Sequence, residues 1–218
     1  ILDFFSGSAT TSHAVMQLNA EDGGKRKYIC VQLPEETPKD SPASKAGYNT
    51  ICEIGKERIR RAGKQIKEDP KNKDKKIDTG FRVLRVDSSN MEEVYFEPTQ
   101  LNQMNLFAQV DSVKLDRTEL DLLFGCMVDW GVELSYPLRR EEVAGKHLHI
   151  VNEGALVACF DEAINLEAIR HIASMKPLRV IFRESCFATD ADKLNVYEQF
   201  KQLCGWSDDE AYKRIHVI

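Results

Sequence analysis

The stretch that decides the fold is Ile1-Leu2-Asp3-Phe4-Phe5-Ser6-Gly7-Ser8-Ala9-Thr10-Thr11, read together with Tyr28-Ile29-Cys30-Val31-Gln32-Leu33. The first apolar run stops at Ser6-Gly7-Ser8. Ala14, Val15 and Leu18 then recur at helical spacing, and Thr10 or Thr11 can cap that helix. Asp22-Gly23-Gly24 ends it, because glycine accepts the left-handed conformation of a helix C-terminus. A second apolar strand follows from Tyr28. The crossover is too long for a hairpin and has the length of a βαβ unit, which predicts two parallel strands.

The end of the first strand is also where the chemistry concentrates. Small residues there let a ligand approach the backbone closely. The N-terminus of the following helix offers N–H groups to a carboxylate or phosphate. In an open α/β sheet, ligands sit at the carboxyl ends of the strands. These features point to a nucleotide-like or anionic ligand, with a purely structural strand–helix turn as the alternative. The loop is not a Walker A sequence, having no Gly-Lys-Ser/Thr, and it is not G-x-G-x-x-G, since only Gly7 is glycine.

Outward from this core, residues 34–48 hold three prolines and read as a surface loop. A helix is predicted over about 50–67, with Ile51, Ile54, Ile59, Ala62 and Ile66 on one face and Lys56, Arg58, Arg60, Arg61, Lys64 and Lys67 on the other. Residues 69–78 are Lys-rich and read as a linker. Phe81 to Val86 alternates like a strand. Residues 91–115 give weak signals. Beyond them lies a helix capped by Asp116 or Thr118 and ended by Gly131. Short strands follow near 134–138, 147–151 and 155–160, then a helix over 165–174 and a strand over 178–182. A helix over 191–204 and a strand over 214–218 complete the pattern. The reading is therefore an α/β chain with a first domain over 1–90, a connection over 91–115 and a second α/β domain over 116–218.

The composition agrees with a folded, water-facing protein. Of 218 residues, 42% are apolar and 30% charged, which excludes a largely disordered chain. No apolar run approaches the ~18–20 residues of a membrane span, and no secretory leader is visible. Six cysteines without a C-x-x-C spacing read as reduced, buried thiols in a cytoplasmic protein. The net charge of −5 argues against nucleic-acid binding by bulk charge alone, but not against a local basic face. Such a face exists: Lys56 to Lys76 carries ten Lys/Arg against four acids.

Leu2 to Thr11 resembles motif I of S-adenosylmethionine-dependent DNA methyltransferases of the circularly ordered β group, usually Asp-Pro-Phe-x-Gly-Ser-Gly-Thr-Thr. The longer stretch Asp3 to Glu35 is similar to the modification subunit of type III restriction–modification systems. Ile51 to Gly63, Gly80-Phe81-Arg82-Val83, Pro177 to Arg183, and Asp190-Ala191-Asp192-Lys193 with Asn195 extend the likeness. The middle, roughly 91–150, carries least of it. The resemblance implies a partial Rossmann-like methyltransferase sheet followed by a smaller α/β C-terminal domain, together the C-terminal part of such a subunit. It implies S-adenosylmethionine as cofactor, with Asp3, Phe4, Phe5, Gly7, Ser8, Thr10 and Thr11 lining the pocket. Gln32 stands where many of these enzymes place an acid for the ribose hydroxyls, and Glu35 is the alternative partner. Ala9 replaces a frequent second glycine, so this position is expected at φ < 0.

The family's catalytic motif, Asp/Asn/Ser-Pro-Pro followed by an aromatic, is absent, and no Pro-Pro pair occurs. In the β order that motif precedes motif I, so catalytic residues are expected upstream of Ile1 and this chain alone is expected to be inactive. The resemblance further implies exocyclic adenine methylation on a flipped base, with DNA, a restriction subunit and a second copy of the subunit as partners. A non-catalytic assembly or dimerisation module derived from such an enzyme is the competing reading. Lys56, Arg60, Arg61 and Lys64 are candidate DNA contacts, against a solvated helix face. His13 reads as structural or cofactor-adjacent. His147 and His149 share a strand face without other ligands at metal spacing, so no metal site is assigned.

Overall fold

The computed structural model describes residues 1–92 and 113–218. These fall into two compact units, Ile1–Leu84 and Arg85–Ile218. Most of the expected connection over 91–115 lies outside the described residues.

In the first unit, β1 (Leu2–Phe4) and β2 (Ile29–Val31) pair in parallel, with Asp3 opposite Cys30. Between them runs α1 (Thr10–Asp22), closed by Gly23 at φ 72° with its N–H on Asn19 O. A short helix, α2 (Pro42–Lys45), precedes α3 (Ile51–Glu68). Thr50 and Glu53 cap α3 reciprocally, each side chain taking the other's backbone N–H. Gly55, Ile59, Ala62, Gly63 and Ile66 form its buried stripe. Met16 and Ala20 of α1 meet Ile59, Ala62 and Ile66 there, with Tyr28, Ile77 and Phe81 at the margin.

Strand alternation sorts the small sheet into two faces. Asp3 and Cys30 turn toward α1, where Ser12 Oγ lies 3.0 Å from Cys30 Sγ. Leu2, Phe4, Ile29 and Val31 form the other face and remain 59, 61, 64 and 42% exposed. Parallel strands are ordinarily covered on both faces, so this apolar face is an open one.

The alternation over Phe81–Val86 does not become a strand. No ladder includes these residues, and Val83, Leu84 and Val86 are exposed. Alternation sets faces, but a strand also needs a neighbour with free backbone groups, and among the described residues none lies alongside. Phe81 instead packs on the first core, with the Arg60 guanidinium 5.8 Å above its ring.

The second unit has three layers. Its sheet runs in the order β3 (Leu138–Val143), β4 (Lys146–Val151), β5 (Leu156–Cys159), β6 (Arg179–Phe182), β7 (Ile215–Val217). The first two pairings are antiparallel and the last two parallel. One face carries Leu148, Ile150, Val157, Val180 and Phe182. It is covered by α5 (Leu166–Ser174), α6 (Asp190–Cys204) and α7 (Asp208–Arg214). The other face carries Val151, Leu156, Ala158 and Ile181 against Leu122, Leu123, Cys126 and Met127 of α4 (Glu119–Asp129).

Thr118, rather than Asp116, caps α4. The strand expected near 134–138 begins at Leu138 and runs through Arg139-Arg140-Glu141-Glu142. These charges belong to a sheet edge, where polar side chains face water on both sides. Helix α7 has no counterpart in the sequence reading, although Ser207 and Glu210 form a capping box. Residues 85–90 pack with this unit: Asn90 Nδ2 donates to Asp121 O at 2.8 Å.

Candidate functional site

The Phe5–Ala9 loop joins β1 to α1, and its backbone is unusual. Phe5, Gly7 and Ala9 all take left-handed φ values, 61°, 55° and 61°. This corrects the expectation that Ala9 would sit at φ < 0. The turn into α1 needs left-handed backbone at this point. A buried alanine supplies it, at a cost of ~1–2 kcal/mol over a right-handed residue. Its methyl group is used: Ala9 joins the core with Met16 and Ile59.

Helix α3 flanks the loop. A Cβ built on Gly55 would lie 3.4 Å from Ala9 Cβ and 3.5 Å from Gly7 O. These are ordinary van der Waals distances, so the loop rests directly on the helix at Gly55, with room there for a methyl group but not for a larger side chain. Sequence reasoning missed Gly55, though an isolated glycine inside a helical stripe is the available signal.

Several bonds fix the loop and its neighbours. Ser6 N donates to Val31 O at 3.1 Å and Ala9 N to Ser6 O at 2.9 Å. Gly7 N donates to Gln32 Oε1 at 2.7 Å. Thr11 Oγ1 donates to Asp3 Oδ2 at 2.5 Å. Cys52, in the first turn of α3, donates its thiol to Gln32 O and Leu33 O at 3.5 Å each. The N-cap residue of α1, Ala9, makes no side-chain capping bond.

The fold thus gathers Asp3, Gly7, Thr11 and Gln32 around one loop, with Ser8 and Thr10 in the same turn. Phe5 is 73% exposed at the loop's opening. Phe4 alternates to the open sheet face with Leu2, away from Asp3. Glu35 lies beyond Gln32; its backbone accepts Ile51 N at 2.9 Å and its exposed side chain has no bond among the described residues.

The candidate DNA contacts on α3 are mostly engaged within their own helix. Arg61 Nε donates to Glu57 at 2.7 Å and its terminal nitrogen to Tyr48 OH at 3.2 Å. That carboxylate holds the guanidinium pKa above its usual value. Arg60 lies 3.9 Å from Glu57 and Lys64 3.8 Å from Glu68. Lys56 has no acidic partner among the described residues. An open cleft of about 550 Å³ beside this face is lined by Arg61, Lys64, Gln65, Glu68 and Asp69, a balanced set of charges.

In the second unit the histidines have separate partners. His147 Nδ1 lies 3.1 Å from Asp161, buried His149 Nε2 lies 2.6 Å from Glu119, and His171 Nε2 lies 3.2 Å from Glu141. His171 and Arg139 together hold the Glu141 carboxyl below its usual pKa. Burial lowers the pKa of His216, whose ring lies 4.3 Å from that of Trp130. Among the described residues no three His, Cys, Asp or Glu side chains are grouped to hold a metal, and no helix is long and apolar enough to cross a membrane.

No protein-family model matches the chain. Individual proteins do. The type III restriction-modification enzyme EcoP15I Mod subunit of Escherichia coli is 36% identical over 209 residues, covering 92% of this chain and 30% of that protein. The StyLTI Mod subunit of Salmonella typhimurium is 47% identical over 85 residues, 39% of this chain and 13% of its own length. The type II methyltransferase M.KpnI of Klebsiella pneumoniae is 46% identical over 54 residues, 25% of this chain and 13% of the relative. The chain thus spans less than a third of the length of these relatives.

Proposed function

Because this chain is homologous to the Mod subunits of type III restriction–modification systems, we propose that its first unit is the S-adenosylmethionine-binding half of an adenine-specific DNA methyltransferase. The second unit is proposed as a dimerisation or partner-docking domain. The observation that carries the reading is the Phe5–Ala9 loop, with Phe5, Gly7 and Ala9 in left-handed backbone, set between a parallel strand end and a helix N-terminus whose N-cap alanine makes no side-chain bond.

The residues present suit that cofactor. Asp3 places a carboxylate near the loop for an ammonium group. The first turn of α1, whose N-cap alanine makes no side-chain bond, together with Gly7 and the small Ser8, suits a carboxylate close to backbone. Phe5 offers an exposed apolar ring, and Glu35 an exposed acid for a diol. When bound, S-adenosylmethionine supplies an electrophilic methyl group; this chain's residues bind and orient its carrier. The chain contains no Pro-Pro-aromatic motif to receive a flipped adenine, so it is proposed to hold the cofactor side of the reaction and not the base side. DNA, a restriction subunit and a second Mod copy are its proposed partners in the full-length protein, and the cytoplasm its proposed location.

Isothermal calorimetry of the chain with S-adenosylhomocysteine tests the reading. Binding that is lost in Asp3→Ala with Gly7→Val supports it. No binding at millimolar ligand favours the competing reading, a non-catalytic assembly module. Incubation with DNA and S-adenosylmethionine should yield no methylated adenine from this chain alone.

A further inference from the structure

Both polar atoms of the Gln32 side chain are engaged with backbone. Oε1 accepts the Gly7 N–H at 2.7 Å, and Nε2 donates to Leu33 O at 3.2 Å. Gln32 follows directly on β2, and its own carbonyl accepts the Cys52 thiol. The loop it reaches contains two non-glycine residues in left-handed backbone, Phe5 and Ala9. Such conformations persist only where the surroundings over-determine them. Two bonds tie the loop to the end of β2: Ser6 N to Val31 O, and Gly7 N to Gln32. Among the described residues, Gln32 supplies the only side-chain bond to the Phe5–Ala9 backbone.

The geometry points to Gln32 as a positioning residue that clamps Gly7, and through it the Phe5–Ala9 loop, in the shape a ligand meets, and not as the partner of the ligand's ribose. The ligand side of this inference rests on the proposed cofactor; the clamp itself does not. An aspartate or glutamate at this position would present charge to a diol. A neutral amide aimed at the loop instead spends its acceptor on an N–H that left-handed backbone turns outward. Ribose recognition then falls to another group, and exposed Glu35, with Glu36 beside it, offers an acid at this end of the strand. The amide keeps a second lone pair and a second N–H, so the experiment has to separate the two roles.

Amide hydrogen exchange at Gly7, measured by NMR on the full chain without ligand, does so. Gln32→Leu removes the acceptor and keeps the bulk; Gln32→Glu keeps an acceptor oxygen. Gly7 should exchange about 2- to 12-fold faster in Gln32→Leu, the range of one net hydrogen bond, and near the wild-type rate in Gln32→Glu. Equal exchange in wild type and Gln32→Leu overturns the clamp. Protection across α3 reports the fold, and Gln32→Met carries the same test if the leucine variant does not fold. In a second arm, the affinity ratio of S-adenosylhomocysteine to its 2′-deoxyribose analogue should be unchanged by Gln32→Leu. A ratio that collapses toward one assigns the ribose to Gln32 and overturns the inference. If no variant binds either compound, the cofactor reading fails while Gly7 exchange still decides the clamp.

Discussion

Thr11 Oγ1 donates a hydrogen bond to Asp3 Oδ2 across 2.5 Å, joining the strand that enters the loop to the first turn of the helix that leaves it. The two residues are eight apart in sequence, and the bond closes the loop from below. Thr11→Val keeps the shape and removes the donor. It should destabilise the first unit by ~1 kcal/mol, read as a lower midpoint in urea. Asp3→Asn, which can still accept from Thr11, should cost less stability yet weaken S-adenosylhomocysteine binding at least as much as Thr11→Val. An equal effect of both on stability and none on binding would make the pair purely structural.

Ala9 and Gly55 are neighbours whose roles oppose. Ala9→Gly relieves ~1–2 kcal/mol of left-handed strain but uncovers a buried methyl group worth ~0.8 kcal/mol and loosens the unfolded chain. The terms nearly cancel, so chemical denaturation should find it within ~0.5 kcal/mol of wild type. Ala9→Val should lose at least ~2 kcal/mol, since a β-branched residue tolerates this backbone poorly. Gly55→Ala meets only ordinary van der Waals distances and gains helix propensity, so it should be neutral or stabilising by up to ~1 kcal/mol. Gly55→Leu should cost ~1–3 kcal/mol and shift the amide resonances of Gly7 and Ala9.

Burial pushes the thiol pKa of Cys126 and Cys159 up to about 11 and that of Cys186 up to about 12. A thiol whose folded pKa is raised adds stability below its unfolded pKa and loses it as pH climbs toward the folded value. The second unit should therefore keep its stability to about pH 8.5, the free-thiol value. Its melting temperature should then fall between there and pH 11, with a slope of up to ~1.4 kcal/mol per pH unit per thiol. At pH 8, iodoacetamide should label these three cysteines only after denaturant is added. Labelling of Cys186 at the rate of a free thiol would contradict its burial.

Among the four candidate contacts, Lys56 should contribute most to any phosphate contact by α3. Arg60, Arg61 and Lys64 each have a carboxylate within 4 Å, which offsets their field at a phosphate. In the full-length protein, Lys56→Ala should lower the slope of log affinity against log salt by ~0.9, the value for one phosphate. Neutralising Arg60, Arg61 and Lys64 together should lower it by less than the ~2.7 expected of three free cations. An unchanged slope in both variants would mark the face as solvated.

The sequence made the periodic elements readable and left the tertiary choices hidden. The βαβ start, the amphipathic α3 and the strand at Val180–Phe182 follow from apolar spacing, but the faces match it only in part: Val15, Ile59, Ala62 and Ile66 are buried, whereas Ala14 and Leu18 are exposed and Met16 and Ala20 face the core in their place. Ala9 departs from the expected φ < 0 because the turn from β1 into α1 takes left-handed backbone at the N-cap, which no local pattern records. Phe81–Val86 alternates correctly but, among the described residues, has no strand beside it. The strand over Leu138–Val143 is expected too early, near 134–138, because an edge strand such as Arg139 to Glu142 needs few apolar residues. Asp3, Gly7 and Thr11 were legible from motif I, whereas the bond that turns Gln32 toward Gly7 depends on a side-chain direction beyond the reach of spacing.

The open face formed by Leu2, Phe4, Ile29 and Val31 bears on the life of the chain before any ligand arrives. Side chains of this kind, held a strand apart and wet, are what chaperones and other copies of the same chain capture during synthesis. Expressed by itself, the protein should bind hydrophobic dyes while natively folded, and its yield should depend on chaperone supply. Placing charge at Phe4 or Ile29 should improve its solubility without disturbing the α1–α3 core.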